Sequence, residues 1–292
     1  MSKVLHEVRQ ACSICPREVQ EKIFDLPDTE QIEEIRFRLG QAVYVTVNGQ
    51  ERSLHTSPVQ VEWLEQMIAG ATGHAVFSAQ QMLKNGFVTV KGGHRLGICG
   101  TGIYQGNEIT GFKEISSINL RVARQIKGIA SKTADALWLY PHSALIIGAP
   151  GVGKTTLLRD LIRQLSDRFS CRIGVADERM ELAACFNGRA QFDLGVHTDI
   201  LSGVKKETAV EFLLRTMSPK WIALDEITAA SDIEAMLRGS YCGVNFIATG
   251  HASCKEELQQ RSLYRELMNC GIFKNLVMIR QDRTVTTERV SL

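Results

Sequence analysis

The sequence predicts an α/β protein in which a mostly parallel sheet lies between helices, with a smaller α+β domain before it. From about residue 140 onward, short apolar runs typical of buried strands alternate with helix-forming segments, as a parallel sheet requires. Before that point, a helical start is followed by short strands and hairpin signals. We therefore expect an N-terminal domain over residues 1–135 and a second domain over residues 136–292.

Length and composition set the broad class. The chain has 292 residues, which suits about two domains. With 44% hydrophobic residues, 23% charged residues and a net charge of +2, it is typical of a soluble globular protein with no general tendency to bind nucleic acid or anionic membrane. The N-terminus lacks an apolar signal core, and no run approaches the ~18 apolar residues of a membrane span. We expect a cytoplasmic protein.

Eight cysteines are scattered through a chain too large to need a disulfide framework, so we expect reduced thiols. Cys12 and Cys15 have the spacing of a metal-binding pair, yet no second pair of cysteines or histidines follows to complete four ligands. We interpret them as structural thiols beside a helix that starts at Pro16.

The elements of the first domain follow from local patterns. A helix is predicted over residues 16–25, and residues 34–39 alternate polar and apolar like a half-buried strand. Asn48-Gly49 separates two further strands, at 43–47 and 52–54, and is a strong hairpin signal. Beyond them we predict a helix over 61–70 and strands over 86–91, 94–104 and 109–122.

A phosphate-binding loop opens the second domain. An apolar run, 144–147, is followed by a match to G-x-x-x-x-G-K-[ST] and then by a helix-forming run from Thr156 to Leu165. In such loops, backbone N–H groups point at the phosphates, the lysine reaches the β- and γ-phosphates, and the hydroxyl binds Mg²⁺. The predicted contacts to ATP are Gly148, Ala149, Pro150, Gly151, Val152, Gly153, Lys154, Thr155 and Thr156.

Polar residues follow each later strand of this domain. The strand 172–176 leads into the acidic segment Asp177–Glu181, the strand 221–224 into Asp225-Glu226, and the strand 245–249 into Gly250-His251. Ligands bind at the carboxyl edge of an open α/β sheet, so these clusters should converge on the nucleotide. We expect the strand 172–176 to neighbour the phosphate-loop strand, and two strands, 276–280 and 284–290, to close the chain.

Roles can be assigned to these groups. Asp225, together with Thr155, would hold Mg²⁺, partly through water, and Glu226 could activate the attacking water. The acidic segment could hold water near the metal, or it could be solvated surface or ion pairs with Arg179. His251 could contact the γ-phosphate, couple the site to a neighbour or be a structural histidine. Arginines that could stabilise charge on a transferring phosphoryl group are Arg215, Arg36, Arg38, Arg121 and Arg124.

Several short sequence segments together resemble those of the ATPases of type II and type IV secretion and of type IV pili. They are the segment 213–219 leading into Asp225-Glu226-Ile227, the segment 248–252, and the acidic segment 177–181. The resemblance is closest to one branch, the stage III sporulation protein AA family, whose motifs are similar to 34–38, 115–124, 177–181, 197–201 and 217–219.

The resemblance implies a RecA-like P-loop core and a cytoplasmic ATPase of the mother cell in endospore-forming bacteria. It places Glu181 at a catalytic or water-positioning site, His251 in a histidine box, and Arg121 and Arg124 where the N-terminal domain clamps over nucleotide. A homo-oligomer, a hexameric ring, is implied, docked on the cytoplasmic faces of stage III membrane proteins and so peripheral to the membrane.

The chain departs from that pattern at Thr228, where secretion ATPases carry arginine and sporulation relatives often carry glycine, and at Gly250, which precedes His251. Two other functions remain open on the sequence. One is a RecA-like motor on nucleic acid, which the near-neutral charge disfavours. The other is a scaffold that binds ATP with negligible turnover, which Glu226 and Glu181 disfavour.

Overall fold

The computed structural model describes residues 3–73 and 86–290. The chain divides into two compact units, residues 1–124 with 184–191 and residues 125–183 with 192–292. The units change over at Arg124, eleven residues before the expected boundary, and the extent of the functional domains stays a prediction. In the described part of the chain, no helix has the length and apolar content needed to cross a bilayer.

The first unit is built on a six-stranded antiparallel sheet in the order β3-β2-β1-β6-β5-β4. Its strands are β1 (Ile32–Arg38), β2 (Tyr44–Val47), β3 (Gln50–Ser53), β4 (Phe87–Thr89), β5 (Arg95–Gln105) and β6 (Glu108–Arg121). The helices among its described residues are α1 (Lys3–Cys12), α2 (Arg17–Phe24) and α3 (Val61–Thr72), with a 3-10 turn at Thr29–Gln31. The predicted hairpin is confirmed, because Val47 pairs with Gln50 across Asn48-Gly49.

One face of this sheet forms the core of the unit. Apolar residues alternate along β1 and β2, as at Ile35 and Phe37 of β1, so one side of the sheet is apolar and packs with side chains of α1, α2 and α3. Cys12 and Cys15 belong to this core and are buried. Their burial fits the interpretation of structural thiols.

The β5–β6 hairpin extends past the rest of its sheet. β4 pairs with β5 only over Arg95–Gly97, and β1 pairs with β6 only over residues 117–121. The residues from Thr101 to Lys113 pair only with each other among the described strands, as a two-stranded ribbon. Its tip is exposed, with Tyr104 65% accessible to solvent.

The second unit contains a seven-stranded sheet in the order β13-β12-β7-β11-β10-β8-β9, parallel except for β13. The strands are β7 (Ala144–Gly148), β8 (Ile173–Asp177), β9 (Thr198–Ser202), β10 (Trp221–Leu224), β11 (Asn245–Gly250), β12 (Asn275–Ile279) and β13 (Val285–Arg289). The helices are α4 (Ser131–Leu139), α5 (Lys154–Phe169), α6 (Lys206–Thr216), α7 (Ala230–Tyr241), α8 (Lys255–Gln260) and α9 (Ser262–Asn269). The predicted α/β class with a mostly parallel sheet is confirmed.

The expected place of β8 in the sheet is wrong. β11 and β12 flank the phosphate-loop strand β7, and β10 and β11 separate β7 from β8. Order along the chain does not set order across a sheet when crossover connections pass over intervening strands. The acidic segment therefore lies beside β10, which carries Asp225-Glu226 at its end.

The central strands are buried along their length, so their apolar runs face helices or loops on both sides. At Gly174 in β8, a Cβ would lie 3.1 Å from Leu213 of α6, and the missing side chain lets that helix pack closely on the sheet. Because β7, β8, β10 and β11 are parallel, their carboxyl ends lie at one edge. That edge carries the candidate site.

Candidate functional site

The phosphate loop connects β7 to α5. A Cβ on Gly148 would lie 2.8 Å from the carbonyl oxygen of Ile279 and from Val152 Cγ1, so only glycine fits there without displacement. Gly153 has a φ of +112°, which other residues rarely adopt. The first turn of α5 follows at once, and its N–H groups have no intrahelical acceptors. The loop has the local geometry of an anion-binding site.

Lys154 points back over this loop. Its Nζ donates to the carbonyl oxygens of Gly148 (2.8 Å) and Ala149 (3.0 Å) and lies 3.2 Å from His251 Nδ1. Burial lowers the pKa of the Lys154 ammonium, and the charges of Glu226 and Asp225 oppose that shift. A negatively charged ligand at the loop would stabilise the charged form of Lys154 and so raise its pKa.

Thr155 meets the end of β10. Its hydroxyl donates to Asp225, with Oγ1 3.2 Å from Oδ2. The Thr249 hydroxyl donates to the other carboxylate oxygen of Asp225 at 2.9 Å. Burial raises the pKa of Asp225, the nearby charge of Glu181 adds to that, and the hydroxyls of Thr249 and Thr155 oppose it. A buried carboxylate with a hydroxyl beside it is an oxygen donor set that suits a hard cation.

Both oxygens of the Glu226 carboxylate have partners. Oε1 lies 3.0 Å from His251 Nε2, and Oε2 accepts from Arg179 Nη1 at 2.9 Å. The Glu226 backbone has a φ of +29°, unusual for a residue with a side chain, and its N–H donates to Thr249 Oγ1 at 2.9 Å. His251 thus lies between Lys154 and Glu226, with one ring nitrogen near each.

The residues of the acidic segment have different roles: Asp177 bonds to the backbone, and Glu178 forms an ion pair. Asp177 is buried, and its carboxylate accepts the backbone N–H groups of Glu181 (2.9 Å), Leu182 (3.0 Å) and Ala183 (2.9 Å). These bonds fold the segment and use the oxygens that a role in holding water or metal would need. Glu178 pairs with Lys206 at 3.0 Å. Burial raises the pKa of Asp177 despite the three N–H donors.

Arg159 supports the same segment from α5. It is buried, its Nε donates to the carbonyl oxygen of Leu182 and its Nη2 to that of Glu181, both at 2.9 Å. Its guanidinium lies 4.0 Å from the centre of the Phe192 ring. The backbone of Glu181 is therefore held from two sides, by Asp177 and by Arg159.

The structure does not bring Arg215 to this site of its own chain. Arg215 is exposed in the last turn of α6, and α6 leads into the amino end of β10, whereas the site lies at the carboxyl ends of the strands. A helix that returns antiparallel to its strand puts its last turn at the opposite edge of the sheet.

Arg121 and Arg124 belong to the first unit. Arg121 is 61% exposed and its Nε lies 3.4 Å from Glu34 Oε1. Arg124 Nη2 donates to the carbonyl oxygens of Glu30 (2.6 Å) and Ile32 (2.7 Å). Within that unit, Arg121 keeps an accessible guanidinium, whereas Arg124 holds the backbone where β1 begins.

Sequence reasoning missed four residues near the site. Three of them, Thr249, Tyr264 and Lys206, were not singled out, and the fourth, Arg179, was named without its role as partner of Glu226. The hydroxyl of Tyr264 accepts the backbone N–H of His251 at 2.7 Å. Thr249 directly precedes the Gly250-His251 pair, so its place at the carboxyl end of β11 could have indicated it. Tyr264 is on α9 and no local pattern points to it.

Comparison with solved structures identifies the class of fold. The chain is similar to the ATPase DotB of Legionella pneumophila, with a TM-score of 0.60, 15% identity, and coverage of 94% of this chain and 80% of that chain. It is similar to the pilus retraction motor PilT, with a TM-score of 0.63, 15% identity, and coverage of 94% and 82%. The fold is that of the P-loop secretion and pilus ATPases, with the RecA-like core that the sequence predicts.

Sequence comparison identifies one family within this class of fold. Stage III sporulation protein AA of Bacillus subtilis (strain 168) is 31% identical over 269 residues, which cover 89% of this chain and 87% of the relative. The family described as Sporulation stage III, protein AA matches residues 6–289. The chain belongs to that family, as the motifs of both units predict.

Proposed function

We propose that this chain is a Mg²⁺-dependent ATPase that serves endospore formation. The observation that carries the proposal is the contact between Thr155 Oγ1 and Asp225 Oδ2, 3.2 Å apart, with Glu226 as the next residue. This contact brings together, at one edge of the sheet, the phosphate loop, the proposed metal-binding carboxylate of Asp225 and the candidate base Glu226. Similarity of fold to a pilus motor solved with bound ADP supports it.

The residues present fit both ligands. Lys154 and the N–H groups of the loop and first turn, residues 149 and 151–156, would hold the phosphates, because Pro150 has no N–H to donate. Thr155 and Asp225 would hold Mg²⁺, partly through water. Residues 3–73 and 86–290 contain no group of three or more His, Cys, Asp or Glu that could hold a metal by themselves. That suits Mg²⁺, which is usually bound by one or two protein oxygens together with substrate phosphates. When bound, Mg²⁺ supplies neutralisation of charge on phosphate oxygens.

Glu226 is our candidate for the group that orients and deprotonates water. Its carboxylate lies beside His251 and Arg179, so its two oxygens have fixed directions before a ligand arrives. His251 would link Lys154, at the phosphates, to the base. Glu181 would act on water from the acidic segment, which follows β8 beside the end of β10. Arg121 would supply positive charge from the first unit.

Membership of the sporulation family supports the cellular role. We infer a hexameric ring in the mother cell, docked on the cytoplasmic faces of stage III membrane proteins, that powers the channel apparatus facing the forespore. Its attachment to the membrane would be peripheral, through those partners.

The test is phosphate release from Mg²⁺-ATP, paired with mass measurement with and without nucleotide. Glu226→Gln should retain ATP and lose about 10²- to 10⁴-fold in turnover. Lys154→Ala should lose nucleotide binding, because it removes a charge-assisted contact worth about 1.5–3 kcal/mol. Lys132→Ala, an exposed lysine on α4, is the control.

Four results would contradict the proposal or one of its parts. Equal phosphate release by Glu226→Gln and wild type would remove the hydrolytic role, and binding without turnover in the assembled ring would favour a nucleotide-gated scaffold. A mass that stays monomeric with Mg²⁺-ATP would contradict the ring. Stimulation by single-stranded nucleic acid would favour the alternative of a nucleic-acid motor.

A further inference from the structure

Lys206, the first residue of α6, is a buried lysine beside the candidate site. Its side chain is 6% exposed, and its Nζ lies 3.0 Å from Glu178 Oε2, 3.4 Å from Asp232 Oδ2 and 3.3 Å from Thr228 Oγ1. An ammonium group leaves water only at a large cost unless charged and polar partners surround it. Here the partners come from three segments: the acidic segment, the segment after β10, and α7.

The contacts to Thr228 and Asp232 fix the chain just after Glu226. The Asp232 carboxylate oxygen Oδ2 accepts the backbone N–H groups of Thr228 (2.9 Å) and Ala229 (3.2 Å). The same oxygen pairs with Lys206. Lys206 therefore holds both the carboxylate that caps this segment and the hydroxyl of Thr228, two residues beyond Glu226.

The contact to Glu178 reaches Glu226 by a second route. Glu178 precedes Arg179, whose Nη1 lies 2.9 Å from Glu226 Oε2. Ala176, Glu178, Arg179, Lys206, Asp225 and Glu226 line one small cavity. A single ammonium thus connects the backbone that carries Glu226 to the segment that carries its arginine partner.

We infer that Lys206 is a positioning residue for Glu226, setting the direction of its carboxylate through the segment 226–229 and through Arg179. The inference rests on the proposed hydrolytic role of Glu226. Without the ammonium, Glu178 and the buried Asp232 are two carboxylates with no cation between them, and they separate. The acidic segment and the segment after β10 then lose their connection.

Lys206→Met tests this with little change in volume, Lys206→Arg restores the charge, and Lys205→Met is a matched control one residue away. Lys205 is exposed. Amide exchange without nucleotide, read from peptides over 178–183 and 226–232, should be at least about five-fold faster in Lys206→Met. Lys206→Arg should recover part of the protection, and Lys205→Met should match wild type.

Kinetics supply the second readout. In Lys206→Met, kcat for Mg²⁺-ATP should fall at least about ten-fold, because a misplacement near 1 Å at a reacting group costs that much or more. The Kd for a non-hydrolysable ATP analogue should stay within about two-fold of wild type, since Lys154 and the phosphate loop are untouched. Lys206→Arg should recover part of kcat.

Three outcomes for Lys206→Met would overturn the inference. The first is unchanged amide exchange, and the second is faster exchange with unchanged kcat. The third is faster exchange spread evenly over the second unit, with kcat and analogue binding lost together. The last result would mark Lys206 as a general support of the fold. Absence of phosphate release by wild type would instead overturn the proposed function, and the exchange data would still decide whether Lys206 joins the two segments.

Discussion

Asp177 shows how a residue can have a place in a site without touching its ligands. The sequence puts it at the head of an acidic segment, next to a nucleotide, where water or metal binding is a reasonable expectation. In the structure, three backbone N–H groups occupy its oxygens, and these bonds fold the segment that carries Arg179, the partner of Glu226. Burial decides between the two roles, because a carboxylate away from water must satisfy its oxygens with nearby donors.

His94 gives a prediction at the same scale. It is fully buried in the first unit, and its Nδ1 accepts the N–H of Ala123 at 3.0 Å, so the neutral ring carries its proton on Nε2. Burial lowers the pKa of His94 from 6.5 to about 4. Between those values the unfolded chain binds a proton that the folded chain does not, so stability should fall as the pH falls from 6.5 toward 4, by up to about 3 kcal/mol.

Urea unfolding at several pH values measures this effect. His94→Asn keeps an acceptor for Ala123 and should show a flatter dependence of the unfolding free energy on pH. His6→Asn, at an exposed histidine of α1, should retain the wild-type slope. A wild-type slope in His94→Asn would show that other groups carry the acid sensitivity.

At the scale of elements, the sequence predicts what is local and misses what depends on neighbours in space. The strand, glycine loop and helix around Lys154 are predictable because spacing and φ preferences act within a few residues. Asp225 and Glu226 are found because polar residues end an apolar run. The contact of Glu226 with Arg179 spans 47 positions and depends on β8 lying next to β10, which no local pattern reveals.

The exposed ribbon of β5 and β6 offers an element-scale prediction. Between Thr101 and Lys113 its strands pair only with each other among the described residues, so this part contributes little to the core of its unit. Replacing residues 104–110 by Asn-Gly keeps the Ile103–Gly111 pair and closes it with a favoured two-residue turn. The Tm should change by no more than about 4 °C.

Thermal unfolding followed by circular dichroism checks the shortened ribbon. The matched comparison is a variant with the same seven residues replaced by a flexible Gly-Ser segment of equal length, which separates loss of the tip from shortening. A large fall in Tm in both would show that the tip supports the unit.

At the scale of the whole molecule, the two units raise the question of what the first one contributes to turnover. The contacts of Arg121 and Arg124 within the first unit differ, so the effects of replacing them can be distinguished. Arg124 donates to two carbonyl oxygens at the start of β1, those of Glu30 and Ile32, so Arg124→Ala should lower the stability of the unit by about 1–3 kcal/mol. Loss of turnover in that variant alone would therefore not distinguish a catalytic contact from a structural one.

Replacing Arg121 tests the proposal that the first unit clamps over the nucleotide. The Arg121 side chain is 61% exposed and its ion pair with Glu34 contributes at most about 1 kcal/mol, so its removal should leave the fold intact. If the first unit supplies positive charge to the nucleotide, Arg121→Ala should keep the wild-type Tm and lower kcat for Mg²⁺-ATP at least about ten-fold. Arg17→Ala, at an arginine that is 92% exposed on α2, should change neither quantity. Wild-type turnover in both Arg121→Ala and Arg124→Ala would refute the clamp, and the hydrolytic site would then depend on residues of the second unit.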